Sequence, residues 1–189
     1  MTFDQLRRFE GVKTGCNMKR TTLCYIKKEY EWLLLYRNKK PHDPNAGKWI
    51  GIGGRIEDGE TPDECNRREV LEETGIELRS AHFHGVISFR SDEWEDEDMY
   101  LYSADLQSDA VYPKAANQPV GGAGNAAISL PACDEGDLDW ITESELFDLP
   151  MWEGDRLFLQ QIIEGRDEIT MTLRYEGEKL VNDTKNKET

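Results

Sequence analysis

The chain has 189 residues, of which 38% are hydrophobic and 32% charged, and its formal net charge is −15. This length suits one domain with a sizeable core and scarcely two. The acidic balance disfavours a long nucleic acid as partner, and an anionic small substrate would need a metal ion. No apolar run approaches the roughly 18 residues of a membrane span, and the first residues lack the apolar core of a secretory signal, so we expect a cytoplasmic protein that binds no membrane.

Two β-rich runs open the region that we expect to fold. They are TTLCYI at 21–26 and EWLLLYR at 31–37, and the charged turn between them predicts a hairpin. A polar loop follows at 38–47 and leads to KWIGIGG at 48–54. Its glycines indicate a strand that ends in closely approached backbone.

A helix is predicted next, with a clear start and stop. Thr61 and Glu64 have the spacing of a capping box, and Pro62 stands at the first helical position. Gly75 supplies the stop.

The second half alternates strand, loop and helix patterns, and it contains no regular βαβ repeat. In chain order we predict strands at 77–90 and 99–106 around an acidic turn, an insertion loop at 108–134, a short strand at 138–141, a short helix from the capping-box pair Thr142 and Glu145 to Pro150, a helix at 155–165 and a closing hairpin over 169–181. This order favours an α+β or mixed-sheet sandwich.

We divide the chain into three parts. Residues 1–17 form an N-terminal extension, because Met18 precedes the first strand. Residues 18–182 form the single domain, and residues 183–189 form a flexible tail. The four cysteines show no C-x-x-C pairing, so we expect reduced thiols and no disulfide or zinc site.

Three glutamates, Glu69, Glu72 and Glu73, fall on one face of the predicted helix, within an arc of roughly 100°. Like charges at this spacing destabilise a helix, and they also lie near its C-terminus, where the helix dipole favours cations. Arg68 can offset part of the repulsion by pairing with Glu72. A solvated surface is the ordinary meaning of such a run, but clustered carboxylates beside a glycine-bounded loop can also bind a hard divalent cation.

The stretch G54-x5-E60-x7-R68-E69-V70-x-E72-E73-x-G75-I76 resembles the complete Nudix box. The resemblance implies a Nudix hydrolase with an α/β/α sandwich, a mixed sheet and a catalytic loop-helix-loop. It also implies a divalent metal, Mg²⁺ with Mn²⁺ possible, and attack by water on a nucleoside diphosphate linked to another group.

By the same resemblance, Glu69, Glu72 and Glu73 match the metal-binding glutamates. Gly54 matches the position whose carbonyl often joins them. Each of these four residues is therefore a predicted metal ligand.

Arg68 matches the arginine that holds the carboxylates in place, with Glu60 as its partner. The general base varies within the family, so Glu72, Glu73 and Glu135 are all candidates for accepting the proton of the attacking water. These residues complete the predicted catalytic set.

Residues 18–182 are most similar to the oxidised-purine triphosphatases of the MutT type. Trp152 and Asp155 match a base-stacking tryptophan and a base-bonding aspartate, although Trp152 could instead pack beneath its helix. Two positions depart from the pattern: Gly154 stands where a second aspartate occurs, and Ile50 stands where some members have a base-reading asparagine. Base preference can differ accordingly.

Basic residues after the second strand, Arg37, Lys39 and Lys40, could reach substrate phosphates, but we interpret them as part of a solvated loop. Trp49 is interpreted as a core residue.

The resemblance predicts a nucleotide as the small-molecule substrate and leaves the oligomeric state open between monomer and homodimer. The first hypothesis is hydrolysis of oxidised purine nucleoside triphosphates of the 8-oxo-dGTP type to monophosphate and pyrophosphate. The alternatives are another nucleoside diphosphate derivative, such as ADP-ribose or a dinucleoside polyphosphate, or a non-catalytic nucleotide-binding module. An RNA-end hydrolase conflicts with the charge of −15 unless basic residues cluster locally.

Overall fold

The structure is a computed structural model that describes residues 18–111 and 130–185. The predicted extension at 1–17 lies outside the described residues, as do the centre of the predicted insertion and residues 186–189.

The described residues form ten strands, three α-helical segments and one 3₁₀ turn. In chain order these are β1 Lys19–Lys28, β2 Glu31–Arg37, β3 Trp49–Ile50, α1 Pro62–Thr74, β4 Glu77–Leu78, β5 His82–Ser91, β6 Glu97–Asp105, α2 Leu106–Asp109, β7 Ala110–Val111, β8 Gly136–Thr142, the 3₁₀ turn Leu146–Asp148, α3 Glu153–Ile163, β9 Met171–Glu176 and β10 Lys179–Lys185.

Eight of the strands form one mixed sheet. Its order is β10-β9-β5-β6-β1-β2-β3, and β8 also pairs with β2. The pairs β1–β6 and β5–β9 are parallel, and the remaining pairs are antiparallel. The predicted mixed sheet and the β1–β2 hairpin are confirmed.

Alternating side chains of β2 enter two separate cores, one on each face of the sheet. Leu34 packs in the cluster that contains Phe158 of α3, whereas Leu33 packs in the cluster that contains Val70 of α1. All four side chains are fully buried. The sheet therefore lies between two helices, as the predicted α/β/α sandwich requires.

The prediction of a helix that begins at Thr142 is wrong. Thr142 is the last residue of β8, where it pairs with Glu31 of β2, and only the 3₁₀ turn Leu146–Asp148 follows. The Thr142 hydroxyl still donates to the Glu145 carboxylate. The local signal is present, but pairing along the whole of β2 keeps Thr142 in the sheet.

Two predicted boundaries also change. The insertion predicted as a loop from residue 108 begins in α2 and in β7, which pairs with Glu77–Leu78. The tail predicted from residue 183 still belongs to β10, because its pairing with β9 extends to Lys185 opposite Met171. In both places, pairing with a strand distant in sequence orders a segment that has no strong pattern of its own.

Candidate active site

Helix α1 begins and ends where the sequence predicts. The Glu64 backbone N–H donates to the Thr61 hydroxyl (3.3 Å), and the Thr61 N–H donates to the Glu64 carboxylate (2.9 Å). Gly75 has φ +70° and its N–H donates to the Leu71 carbonyl. The last turn of α1 contains Glu72 and Glu73 but no basic residue, so no cation in this turn offsets the negative end of the helix dipole.

Arg68 connects the loop before α1 with the helix carboxylates. Its Nε and Nη2 donate to the two carboxylate oxygens of Glu60 at 2.8 and 2.9 Å, and its Nη1 donates to Glu69 Oε1 at 2.7 Å. This guanidinium lowers the pKa of Glu60 to about 2. Arg68 therefore makes the predicted pair with Glu60, whereas its contact with Glu72 is longer, at 3.4 Å.

Gly54 lies directly against the Glu69 carboxylate. A Cβ atom built on Gly54 would lie only 2.3 Å from Glu69 Oε1. The Gly54 carbonyl accepts a hydrogen bond from the Thr22 N–H at 2.9 Å, which fixes it at the edge of β1. The absence of a side chain thus lets the helix carboxylate approach the backbone.

Glu73 is a buried carboxyl group whose Oε2 has no hydrogen-bonding partner. Burial, and next the charge of Glu69, raise its pKa to about 7. A buried carboxylate oxygen without a protein partner is costly, and a cation would compensate it.

The donor set suits a hard cation only in part. Glu69, Glu73 and the Gly54 carbonyl provide the oxygen ligands that such ions take. The Glu72 side chain is 61% exposed and contacts Arg68. Within residues 18–111 and 130–185, no three His, Cys, Asp or Glu side chains are already grouped to hold a metal.

A cavity of about 480 Å³ extends from Gly54 to the buried face of α3. Its lining includes the polar or charged residues Arg37 and Glu135, the backbone of Gly54, and the aromatic residues Phe89 and Trp152. Asp155 and Ile50 line it as well. The fold thus brings the predicted base-binding residues and the glycine beside Glu69 to one cavity, although they are about a hundred positions apart in sequence.

Trp152 lines this cavity and belongs to the core at the same time. It is 6% exposed, and its Nε1 donates to Asn45 Oδ1 at 2.8 Å. Lys48 Nζ lies 4.3 Å from the ring centroid, and Tyr175 packs edge-on at 5.0 Å. The two interpretations of Trp152, base contact and core residue, are therefore compatible.

Asp155 is buried in the first turn of α3. Burial, and next the charge of Glu97, raise its pKa to about 7. The neighbouring Gly154 explains one departure from the MutT-type pattern: a Cβ there would lie 2.4 Å from Leu173 Cδ1, and its N–H already donates to the Tyr175 hydroxyl at 2.7 Å. An aspartate at this position would collide with β9.

The sequence predicts Glu97 in the acidic turn and gives it no role in the site. Glu97 is the first residue of β6 and lines the cavity, where it accepts from Lys19 Nζ at 2.9 Å and from the Thr21 hydroxyl. Its pairing with Lys19 follows from the parallel β1–β6 register. No local signal could have revealed it, because the two residues are distant in sequence.

The solvated-loop interpretation is wrong for Arg37. This residue ends β2, is 9% exposed and lines the cavity. Its Nε donates to Asp43 at 2.6 Å, and its Nη1 forms an ion pair with Glu135, which also pairs with Lys40. Trp49, in contrast, packs against the core as predicted.

Fold and site together define an α+β domain in which a loop-helix-loop holds Glu69 against Gly54, and Gly54 lines a cavity. A model of the NUDIX domain matches residues 18–162. The chain therefore belongs to the Nudix family, and the motif-based prediction is confirmed. Nudix hydrolases in general use a divalent metal ion.

Relatives with assigned activities are hydrolases. An oxidized purine nucleoside triphosphate hydrolase of Danio rerio is 43% identical over 76 residues, 36% of this chain and 49% of that protein, so the match spans about half its length. The NAD-capped RNA hydrolase NudC of Haemophilus influenzae is 38% identical over 53 residues, 28% of this chain and 20% of that protein.

Longer matches extend over most of the domain. The uncharacterized Nudix hydrolase YvcI of Bacillus subtilis is 26% identical over 85% of this chain and 89% of that protein. The crystal structure of a MutT protein from Bacillus halodurans has a TM-score of 0.71 at 24% identity, and it covers 91% of this chain and 100% of that chain. This likeness shows the shared fold.

Over the described residues, no helix has the length and apolarity needed to cross a bilayer.

Proposed function

We propose that this protein is a Mg²⁺-dependent hydrolase of nucleoside triphosphates, and that its substrates are oxidised purine nucleotides of the 8-oxo-dGTP type. The products are a nucleoside monophosphate and pyrophosphate. One observation carries the proposal: a single cavity is lined by Trp152, Asp155 and Gly54, and Gly54 lies against the Glu69 carboxylate.

The part of the cavity around Trp152 suits a purine base. The indole of Trp152 offers a flat apolar face, and Phe89 lies beside it with the ring centroids 6.2 Å apart. Asp155 can bond the polar edge of the base. Because its pKa is about 7, it can present either a hydroxyl donor or a carboxylate acceptor near neutral pH.

Glu69, Glu73 and the Gly54 carbonyl are the proposed metal ligands, with Glu72 turning inward to join them. Mg²⁺, or Mn²⁺ in its place, would neutralise phosphate charge there and make a water molecule more acidic. Arg68 holds Glu69 in position. Glu72, Glu73 and Glu135 are the candidates for the base that accepts the proton of the hydrolytic water.

The test is a turnover panel with Mg²⁺ that includes 8-oxo-dGTP, dGTP and ADP-ribose. We expect 8-oxo-dGTP to give the largest kcat/KM, with pyrophosphate as product. Glu69→Gln should lower kcat by at least about 100-fold, since it removes charge from the ligand set. Thr142→Ala is the matched control, because it leaves the cavity and α1 untouched. A clear preference for ADP-ribose would replace the substrate class proposed here.

The second candidate function is hydrolysis of another nucleoside diphosphate derivative by the same active site. The similarity to an NAD-capped RNA hydrolase favours adding a short capped RNA to the panel. The charge of −15 opposes strong binding of an RNA chain. If the wild type and Glu69→Gln were equally inert towards every nucleotide, the protein would instead be a nucleotide-binding module. The intact set of glutamates argues against this outcome.

A further inference from the structure

Two cations, Arg37 and Lys40, are joined by one carboxylate. Arg37 Nη1 pairs with Glu135 Oε2, and Lys40 Nζ pairs with Glu135 Oε1. Arg37 and Glu135 both line the cavity. We call Arg37 and Lys40 the cationic clamp.

The two carboxylates bound to Arg37 differ in exposure. The Arg37–Asp43 pair is well buried, with side chains 10% and 6% exposed. Glu135 is 26% exposed and Lys40 is 50% exposed. Partly solvated ion pairs contribute little net stability, so Glu135 can be exchanged for another anion at low cost, whereas Asp43 keeps the guanidinium in place.

The backbone around Glu135 is fixed independently of its carboxylate. Lys39 Nζ donates to the carbonyls of Cys133 and Gly136 at 3.0 and 2.9 Å. Gly136 also pairs with Arg37 as the first residue of β8. Release of the carboxylate therefore requires only a side-chain rotation.

Arg37 of the clamp lines the same cavity as Gly54, and Gly54 lies against the Glu69 carboxylate. Lys19, which lines the cavity as well, is already paired with Glu97. The clamp is thus a cationic position near the proposed metal ligands, and a single side chain fills it.

We propose that the cationic clamp binds the phosphate chain of the substrate, and that Glu135 occupies this position in the free protein until the phosphates displace it. The inference rests on the proposed function for the identity of the polyphosphate. A phosphate chain carries more charge than one carboxylate and matches the fork of the guanidinium, so it can replace Glu135. Glu135 is then an internal competitor of the substrate.

The test is the binding of inorganic tripolyphosphate to the full chain, measured by calorimetry without metal at constant ionic strength. Glu135→Gln should tighten binding about 10-fold, since it removes the competing charge and keeps the side-chain size. Asp137→Asn is the matched control: it changes the net charge equally, but Asp137 pairs with Lys39, outside the clamp. It should change the affinity less than 2-fold. Lys40→Gln, on an exposed side chain, should weaken binding.

Equal tightening by Glu135→Gln and Asp137→Asn would show a general charge effect and overturn the proposal. So would unchanged or weaker binding by Glu135→Gln. In turnover of 8-oxo-dGTP, Glu135→Gln should lower KM. A large fall in kcat with KM unchanged would make Glu135 part of the chemistry and not a competitor.

The two proposals fail separately. If the wild type hydrolyses nucleotides but Glu135→Gln does not bind tripolyphosphate more tightly, only the clamp proposal fails. If tripolyphosphate binds as expected and no nucleotide is hydrolysed, only the proposed function fails.

Discussion

At the scale of single residues, the unusual groups of this protein are two buried carboxyls, Glu73 and Asp155. Burial is the largest cause of the raised pKa of each, which is about 7. Each group is therefore partly protonated at neutral pH, and each lies at a place where the proposed function needs a proton to be held or moved.

Asp155 should make the stability of the protein depend on pH. Its pKa is about 7 in the folded state and near 3.8 when exposed, so the folded state holds more protons between these values and stability falls as pH rises through this window. Asp155→Asn should reduce the loss of unfolding free energy between pH 5 and pH 8 by on the order of 2 kcal/mol. Urea unfolding of both proteins at the two pH values measures this, and an equal loss in both would contradict it.

Gly54→Ala should leave the fold intact but impair the active site. The added Cβ would meet the end of the Glu69 side chain at 2.3 Å, and that side chain can move away. We expect Gly54→Ala to lower kcat/KM about 100-fold while unfolding free energy changes by less than about 1 kcal/mol.

Gly53→Ala is the contrasting variant. Its Cβ would lie 2.0 Å from the backbone carbonyl of Thr22, which cannot move away, so this variant should destabilise the fold in urea unfolding. If Gly54→Ala were as unstable as Gly53→Ala, the interpretation of Gly54 as a site residue would be wrong.

At the scale of elements, two similar signals had different outcomes. Thr61 with Glu64 forms a complete capping box on α1, whereas Thr142 with Glu145 forms a side-chain bond beside a 3₁₀ turn. The residue types and spacing are equivalent. The difference is that β8 pairs with β2 as far as Thr142.

The capping difference gives a stability prediction. Thr61→Ala should lower the unfolding free energy by about 1 kcal/mol, because it leaves the Glu64 backbone N–H at the start of α1 without its partner. Thr142→Ala, which removes a hydroxyl from the same kind of pair but caps no α-helix, should cost less than about 0.5 kcal/mol. Thermal or urea unfolding of the two variants checks the order, and equal losses would contradict it.

At the scale of the whole molecule, one sheet separates two cores that share the strand β2. Leu33 and Leu34 are adjacent and fully buried, yet they face α1 and α3 respectively. Because both cores depend on the same backbone ladder, the two layers should unfold together.

Leu33→Ala and Leu34→Ala should each lower the unfolding free energy by about 2–5 kcal/mol. We expect a single transition in both variants, with near-ultraviolet and far-ultraviolet circular dichroism changing together during urea unfolding. Separate transitions for one variant would mean that the layers on the two faces fold independently.

Local chemistry made much of this molecule predictable. The hairpin β1–β2 and the start and stop of α1 depend on residues close in sequence, where capping, turn and periodicity rules act. The pairing of Arg68 with Glu60 was implied by the resemblance to the Nudix box. The order of the patterns favoured an α+β or mixed-sheet sandwich, and the resemblance to the Nudix box implied helices on both faces of the sheet. The segments predicted wrongly, at Thr142, at residues 110–111 and at 183–185, are those that a distant strand orders.

The sequence by itself determined the family, the glutamates of α1 and the position of that helix, because these reside in a contiguous motif. Only the tertiary structure decided that Arg37 is buried against Asp43 and Glu135, that Glu97 reaches Lys19, and that Trp152 and Gly54 line the same cavity. The physical reason is that burial and long-range ion pairs depend on sheet register, and register is set by contacts between strands far apart in the chain.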